Sequence, residues 1–303
     1  VSVAVLVPGQ GLELADAASA WYAASVESRR LLDLAAAQLQ QPVTRLLHGA
    51  GLALRHTERY QPVMTALCCG ILYEVERRAG IADVALGHSL GELVACVAAG
   101  ILTSDDAVVA AVLRGQLMAR ESARHPGGML ALRATIDEAR EAVASAATAG
   151  RLCIAAVNAH DQQVVSGDHA ALRAIPARYA PVTIATDGAW HSPAMVGAVE
   201  EFRAALEKMC GPPTRARWIA NRTGAFVASP DHPPSLLAAQ LTQPVQWVRS
   251  LETLGAAGVD YIVTLGPAKA QRTLARRTLG EAVRFVPVEF PEDLAHLEEV
   301  LVA

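Results

Sequence analysis

Residues 87–92 read Gly-His-Ser-Leu-Gly-Glu, and this run constrains the fold more than any other stretch of the chain. Two glycines around a serine at this spacing let the backbone turn sharply from a strand into a helix, leaving the hydroxyl on an exposed corner. The next backbone N–H groups then point into the same space. The flanks suit such a turn: residues 83–86 (Asp-Val-Ala-Leu) are short, apolar and partly β-branched, and residues 92–99 are rich in helix formers and run into Gly100, where a C-cap is expected.

A chain of 303 residues buries a full-sized core, as one large domain or a large domain with a small one. Apolar residues make up 52% and aromatics only 4%, with alanine carrying much of the excess, which favours helices packed on a sheet over an all-β fold. The net charge of −4 gives no reason to expect nucleic acid or an anionic membrane as partner. The longest apolar run, 93–102, is about half the length that spans a bilayer. Residues 1–7 lack the basic start of a signal peptide. The five cysteines (68, 69, 96, 153 and 210) are odd in number and scattered, which suggests neither a disulfide framework nor a zinc site. A cytoplasmic protein without a bound metal is expected.

Residues 3–7 read as a buried strand, and Pro8-Gly9-Gln10-Gly11 as the turn after it. Helical patterns follow at about 16–39 and 61–79, the second opening with Gln61-Pro62, where proline suits a first helical turn. Another helix is expected at about 104–124, after the Ser89 turn. Strands and helices in this order, with polar motifs at strand C-termini, describe a mostly parallel α/β sheet that binds ligands at its carboxyl edge.

Composition shifts at Pro126-Gly127-Gly128. Residues 129–133, 152–158, 163–166 and 182–186 read as strands, and 136–149 and 169–177 as helices, giving the β-α-β-β-α-β order of a ferredoxin-like unit. A helix at about 193–210, strands near 217–220 and 260–264, and further helices return to the α/β pattern. The domain expectation is a large α/β-hydrolase-like domain from 1–126 and 192–303, with a small inserted subdomain at 127–191.

A serine hydroxyl is a poor nucleophile until a base takes its proton. Among nine histidines, His88 adjoins Ser89 but is expected to point away across the turn, and His160 and His169 lie in turns of the small unit. His191, in Gly188-Ala189-Trp190-His191-Ser192-Pro193, sits where the insert rejoins the large domain, and sites form in interdomain clefts. A solvated loop histidine is the ordinary alternative.

The blocks Val7-Pro8-Gly9-Gln10-Gly11, Gln61-Pro62, Gly87 to Glu92, Arg114-Gly115, Ala156-Val157-Asn158, Ala189-Trp190-His191-Ser192, Gln240-Leu241 with Pro244-Val245, and Leu265-Gly266-Pro267 occur in one order along the chain. Together they resemble the malonyl-CoA:acyl-carrier-protein transacylases and the acyltransferases of polyketide synthases, over essentially the whole sequence. The resemblance implies that Ser89 attacks an acyl-CoA thioester and holds the acyl group as an ester. His191 would move the protons of this ping-pong reaction, oriented by the main-chain carbonyl at Gln240 rather than by an aspartate. The backbone N–H groups of Gln10 and Leu90 would form the oxyanion hole, worth roughly 3–4 kcal/mol per donor. Arg114 would pair with the free carboxylate of a malonyl-type group, a task that suits a planar, permanently charged guanidinium. Gln61 would support the same pocket, His88, Trp190 and Gly188 would border it, and Asn158 would be structural. The implied partners are malonyl-CoA and an acyl carrier protein, served by a monomer without a cofactor of its own, in polyketide or fatty acid biosynthesis.

The sequence departs from the family pattern in places. The turn after Gln10 continues Gly11-Leu12-Glu13, and Leu265-Gly266-Pro267-Ala268 lacks the usual acidic residue and second glycine. A phenylalanine commonly precedes the histidine where malonyl is chosen, and a serine where methylmalonyl is chosen. Trp190 is bulkier than either, which predicts an unbranched malonyl group, although Gly188 is expected to open room beside it. One methyl discriminates by only ~1–3 kcal/mol. The sequence carries no linker typical of a multidomain synthase, which suggests a discrete enzyme.

Rival readings are a serine hydrolase of the α/β-hydrolase type, an acyl-carrier hydrolase of the same fold, a carrier-to-carrier acyltransferase, the transacylase of malonate decarboxylase and an inactive carrier-binding module. The first needs its histidine near the C-terminus, whereas a long stretch of chain follows His191. Arg114 argues against an editor of neutral acyl groups, and an inactive module should lack Ser89 or His191. Arg272, Arg276 and Arg277, at helical spacing, are a candidate surface for an acidic carrier protein, with a solvated helix face as the commoner outcome.

Overall fold

Two parallel neighbours at the centre of a sheet place the two loops that matter most. In a computed structural model that describes residues 1–11, 13–48, 56–228, 231–280 and 283–302, β1 (Val3–Val7) pairs in parallel with β2 (Val84–Gly87), Val7 opposite Gly87. Both strands are almost wholly buried, which explains their continuous apolar sequences. The turn Pro8-Gly9-Gln10 and the turn His88-Ser89 therefore leave the same edge of the sheet side by side. A Cβ on Gly91 would lie 2.5 Å from the Pro8 carbonyl oxygen, so glycine there is required by the close approach of the two turns.

The small sheet contains β3 (Gly128–Arg133), β4 (Leu152–Ala159), β5 (Gln162–Gly167) and β6 (Val182–Ile184). The large one is completed by β7 (Arg217–Ala220), β8 (Ala225–Phe226), β9 (Tyr261–Leu265) and β10 (Arg284–Val288). The large sheet runs β10-β9-β1-β2-β7-β8, parallel except for the short β8 at one edge. The small sheet runs β4-β5-β3-β6 and is antiparallel throughout. Helices Ile136–Ala146 and His169–Arg173 connect its strands and pack on a small core of their own, around Leu132, Ala142 and Val165. Strand β4 is also tied to the large part of the chain, where Val157 N–H donates to the Val245 carbonyl and Val245 N–H to the Ala155 carbonyl, both at 2.9 Å.

Several elements differ from the sequence expectation. The helix expected at 16–39 is two, Ala15–Ala24 and Val26–Gln38, separated at an extended Ser25. The Ser25 hydroxyl caps the second helix and donates to buried Glu74 at 2.8 Å; this tertiary contact breaks an otherwise continuous helical pattern. A short helix not expected from the sequence, Val43–His48, follows, and the helix expected at 61–79 is Thr57–Ala79, starting a turn earlier than Gln61-Pro62, with Pro62 inside it. Its first N–H is accepted by the carboxylate of Asp187, remote in sequence, at 3.2 Å. Pro62, the sixth residue of the helix, lacks the N–H that would otherwise bond the Glu58 carbonyl. The pattern at 193–210 resolves into a 3-10 turn at Pro193–Met195 and a helix Val196–Leu206. All five cysteines are free, and burial pushes the Cys68 thiol up to about 12. Among the described residues, no helix is long and apolar enough to cross a membrane. Leu12, where the turn after Gln10 departs from the family pattern, lies outside the described residues.

Candidate active site

Ser89 has φ +51°, a left-handed conformation that a side chain adopts only where its surroundings impose it. Strand β2 delivers it, and the helix Gly91–Ala98 begins two residues later, with its N-terminal partial charge on the same side. Asn221, just beyond the end of β7, holds the turn: its Oδ1 accepts the Ser89 N–H at 2.7 Å and its Nδ2 donates to the Gly87 carbonyl. His191 shares this unusual backbone, at φ +55°.

The two meet. Ser89 Oγ lies 2.7 Å from His191 Nε2, and His191 Nδ1 lies 2.8 Å from the main-chain carbonyl oxygen of Gln240. The carbonyl can only accept, so Nδ1 carries the proton and Nε2 is left to accept one from Ser89. His191 is 4% exposed. Burial, reinforced by the nearby Arg114 charge, pulls its pKa down to about 3, so the imidazole is neutral at neutral pH and competent as a base.

Arg114, from the helix Ser104–Arg124, completes the centre with only 3% of its surface exposed. Its Nη2 donates to Ser89 Oγ at 3.3 Å and to Gln240 Oε1 at 2.9 Å, and its Nη1 donates to Gln61 Oε1 at 2.8 Å. Burial lowers the guanidinium to about 10, which leaves it charged at neutral pH. Gln240 Nε2 donates in turn to the Ser89 carbonyl at 2.9 Å and to the Glu92 carboxyl. Glu92 also accepts the Asn221 N–H at 2.6 Å, and burial raises it to about 8. Gln10 is anchored by the Thr57 hydroxyl, which donates to its side-chain oxygen at 3.1 Å. Among the described residues, neither the Gln10 nor the Leu90 backbone N–H has an acceptor, and both residues line the cavity above Ser89.

That cavity, of about 210 Å³, lies between the two sheets, with Met129, Ala156 and Val164 on one side and Ser89, Trp190 and Leu274 on the other. An activated hydroxyl beside a neutral imidazole, two free N–H donors and a buried cation is equipped for acyl transfer to and from an anionic acyl group.

The pattern of an acyl transferase domain matches residues 9–262 of this chain. The malonyl CoA-acyl carrier protein transacylase of Mycobacterium tuberculosis is 32% identical over a 307-residue alignment, covering 98% of this chain and 99% of that protein. The crystal structure of MCAT from the same species superposes with a TM-score of 0.88 at 30% identity, covering 98% of this chain and 99% of that one. The chain belongs to the acyl transferase domain family. The phenolphthiocerol synthesis polyketide synthase type I Pks15/1 of Mycobacterium marinum carries a similar stretch, 29% identical over 99% of this chain and 14% of its own length.

In this acyl transferase, Ser89, His191, Arg114, Gln61 and Gln240 form one connected cluster, with Gln10 and Leu90 at its edge. Gln61 reaches Arg114 from behind and not through the cavity wall. Two expectations are corrected. Gly188 does not line the cavity: a Cβ there would meet Ser122 Oγ at 1.9 Å and the Trp190 indole nitrogen at 3.2 Å, so the glycine is packed between the helix Ser104–Arg124 and Trp190, and only Trp190 lines the cavity. His88 does not point away from the site; it lines the same cavity, paired with Asn158 Oδ1 at 2.9 Å and edge-on to Trp247.

The three arginines of the candidate docking surface diverge. Arg272 is held by the Thr264 hydroxyl, Arg276 lies over the Phe285 ring, and Arg277 pairs with Asp161 and Gln162 of the small sheet. Away from the site, His56, Glu58 and Asp187 gather near the surface, where Asp187 already caps a helix.

Sequence reasoning assigned no role to Glu92 or Asn221. A glutamate opening the apolar run Leu93–Ala99, and an amide directly after a strand beside the serine's strand, were the available signals.

Proposed function

We propose that this acyl transferase moves a malonyl group from CoA, through an ester on Ser89, to the phosphopantetheine thiol of an acyl carrier protein, in fatty acid or polyketide biosynthesis. The observation that carries the reading is the convergence on one oxygen: Ser89 Oγ has His191 Nε2 at 2.7 Å and Arg114 Nη2 at 3.3 Å. A base so placed activates the hydroxyl, and a cation so close selects an acyl group whose free carboxylate is separated from the reacting carbonyl by a single methylene.

In the first half-reaction Ser89 Oγ attacks the thioester carbonyl as its proton passes to His191 Nε2. The oxyanion forms between the Gln10 and Leu90 N–H groups. Collapse breaks the C–S bond, and His191 returns the proton to the departing thiol. In the second, the carrier's thiol gives its proton to His191 and its sulfur attacks the ester carbonyl. The C–O bond then breaks, and Ser89 recovers its proton. The thioester supplies the activated acyl group, so neither metal nor cofactor takes part.

Trp190 supports an unbranched malonyl group. The five free cysteines support a reducing cytoplasm. The small core around Leu132, Ala142 and Val165 and the strand–helix order of residues 127–191 support a ferredoxin-like subdomain inserted into an α/β-hydrolase-like domain.

Intact-mass measurement after mixing with malonyl-, methylmalonyl- and acetyl-CoA tests the reading. A malonyl adduct that vanishes in Ser89→Ala is expected. An adduct from acetyl-CoA with none from malonyl-CoA would overturn the role of Arg114.

A further inference from the structure

One amide in the cavity wall is left unused by this chemistry. Gln271, on the helix Lys269–Leu279, is 7% exposed and lines the same cavity as Ser89 and His191. Its Oε1 is buried without a hydrogen-bond partner, and its cavity neighbours on that helix, Ala270 and Leu274, are apolar. Other amide oxygens in the wall are occupied: Gln10 Oε1 by the Thr57 hydroxyl at 3.1 Å, Asn158 Oδ1 by His88 at 2.9 Å, and Gln162 Oε1 by Arg277 at 3.0 Å. A buried acceptor is costly to leave without a donor, so an orphan beside a substrate cavity marks a place where the ligand supplies one.

The reading under Proposed function, on which this step rests, narrows the donor. A malonyl thioester offers a carboxylate and a carbonyl, which only accept at neutral pH, and a methylene. The first donor along the substrate is the amide N–H of the pantetheine arm, two methylenes from the sulfur. We propose that Gln271 binds the pantetheine arm, its side-chain amide pairing with the secondary amide nearest the thioester. A secondary amide presents both an N–H and a carbonyl, so the Gln271 amide is served in either of its two orientations. CoA and the carrier protein present the same arm. Gln271 thus holds the thioester over Ser89 in the first half-reaction and the thiol in the second, and it recognises the arm whatever the acyl group.

The test compares the second-order rate of Ser89 acylation, read by intact mass, for three donors: malonyl-CoA, S-malonyl-N-acetylcysteamine, which keeps that one amide, and malonyl ethyl thioester, which lacks it. Wild type is set against Gln271→Leu and Gln271→Met, two apolar variants of similar volume. Both variants are expected to lose about tenfold with the two amide-bearing donors and nothing with the ethyl thioester. Equal loss with all three donors, or no loss with either amide-bearing donor, overturns the assignment. A wild type acylated by no malonyl donor removes the proposed function and this assignment together, whereas an acylated wild type with unaffected variants removes this assignment alone.

Discussion

The main-chain carbonyl of Gln240 accepts the Nδ1 proton of His191 at 2.8 Å, while the side-chain oxygen of the same glutamine accepts an Arg114 proton at 2.9 Å. One residue therefore orients the base and the guanidinium through two groups that mutation can separate.

Gln240→Ala keeps the carbonyl and removes the amide. Loss of a hydrogen bond to a charged group is worth about 1.5–3 kcal/mol, so kcat/KM for malonyl-CoA should fall roughly 10- to 100-fold. Acyl donors without a carboxylate should slow less, because His191 keeps its partner and only the amide's bonds to the Ser89 carbonyl and to Glu92 are lost to every donor alike. Steady-state kinetics with malonyl- and acetyl-CoA measure the difference. Parallel losses for both donors would contradict the division of labour.

The buried titratable groups set two pH dependences. With His191 lowered to about 3, the imidazole is already neutral in mildly acidic solution, so Ser89 acylation should show no inflection near the ordinary histidine value of 6.5. Glu92 runs the other way, its folded pKa raised from 4.5 to about 8. Across that window the folded protein holds a proton that the unfolded chain has released, so Glu92 makes stability fall as pH rises toward 8. His191 has the opposite sign: the unfolded chain binds its proton first, so stability falls as pH drops below 6.5. Between pH 6.5 and pH 8 the Glu92 contribution is isolated from that of His191. Thermal melts of wild type should decline across this interval and those of Glu92→Gln should be flatter; equal slopes would assign the decline to other groups.

Gly188 and Trp190 should separate stability from selectivity. A Cβ on residue 188 meets Ser122 Oγ at 1.9 Å and its Cβ at 2.7 Å, and touches the Trp190 indole nitrogen only at 3.2 Å, so Gly188→Ala should cost about 1–3 kcal/mol of stability and change acyl choice much less than Trp190→Ala does. Trp190→Ala opens the cavity itself and should raise acceptance of methylmalonyl-CoA relative to malonyl-CoA, within the roughly 1–3 kcal/mol that one methyl commands. Melting curves and competitive acylation read the two effects. A Gly188→Ala protein of normal stability but altered acyl ratio would return Gly188 to the pocket.

Elements governed by local pattern were legible in advance. The expected strand at 3–7, the strand–turn–helix around Ser89 and the helix at 104–124 are found as read, because apolar runs, flanking glycines and cap residues act within a few residues of one another. The break at Ser25 and the start at Thr57 were not legible, since Glu74 and Asp187 decide them from distant parts of the chain. The edge strand Arg284–Val288 went unread for a related reason. It is short, contains Pro287 and depends on pairing with β9.

The site divides along the same line. Sequence alone determined that a serine would stand at a strand–helix corner, and the order of its blocks pointed to His191, Arg114, Gln10 and Gln240. Only the tertiary structure decided that Gln240 ties His191, Arg114, Ser89 and Glu92 together, that Asn221 and Glu92 brace the serine turn, and that Gly188 packs between a helix and Trp190 and does not line the cavity. Hydrogen bonds between remote residues, and the burial that moves His191, Arg114 and Glu92 from their ordinary pKa values, depend on the packing of the two sheets, which no local pattern encodes.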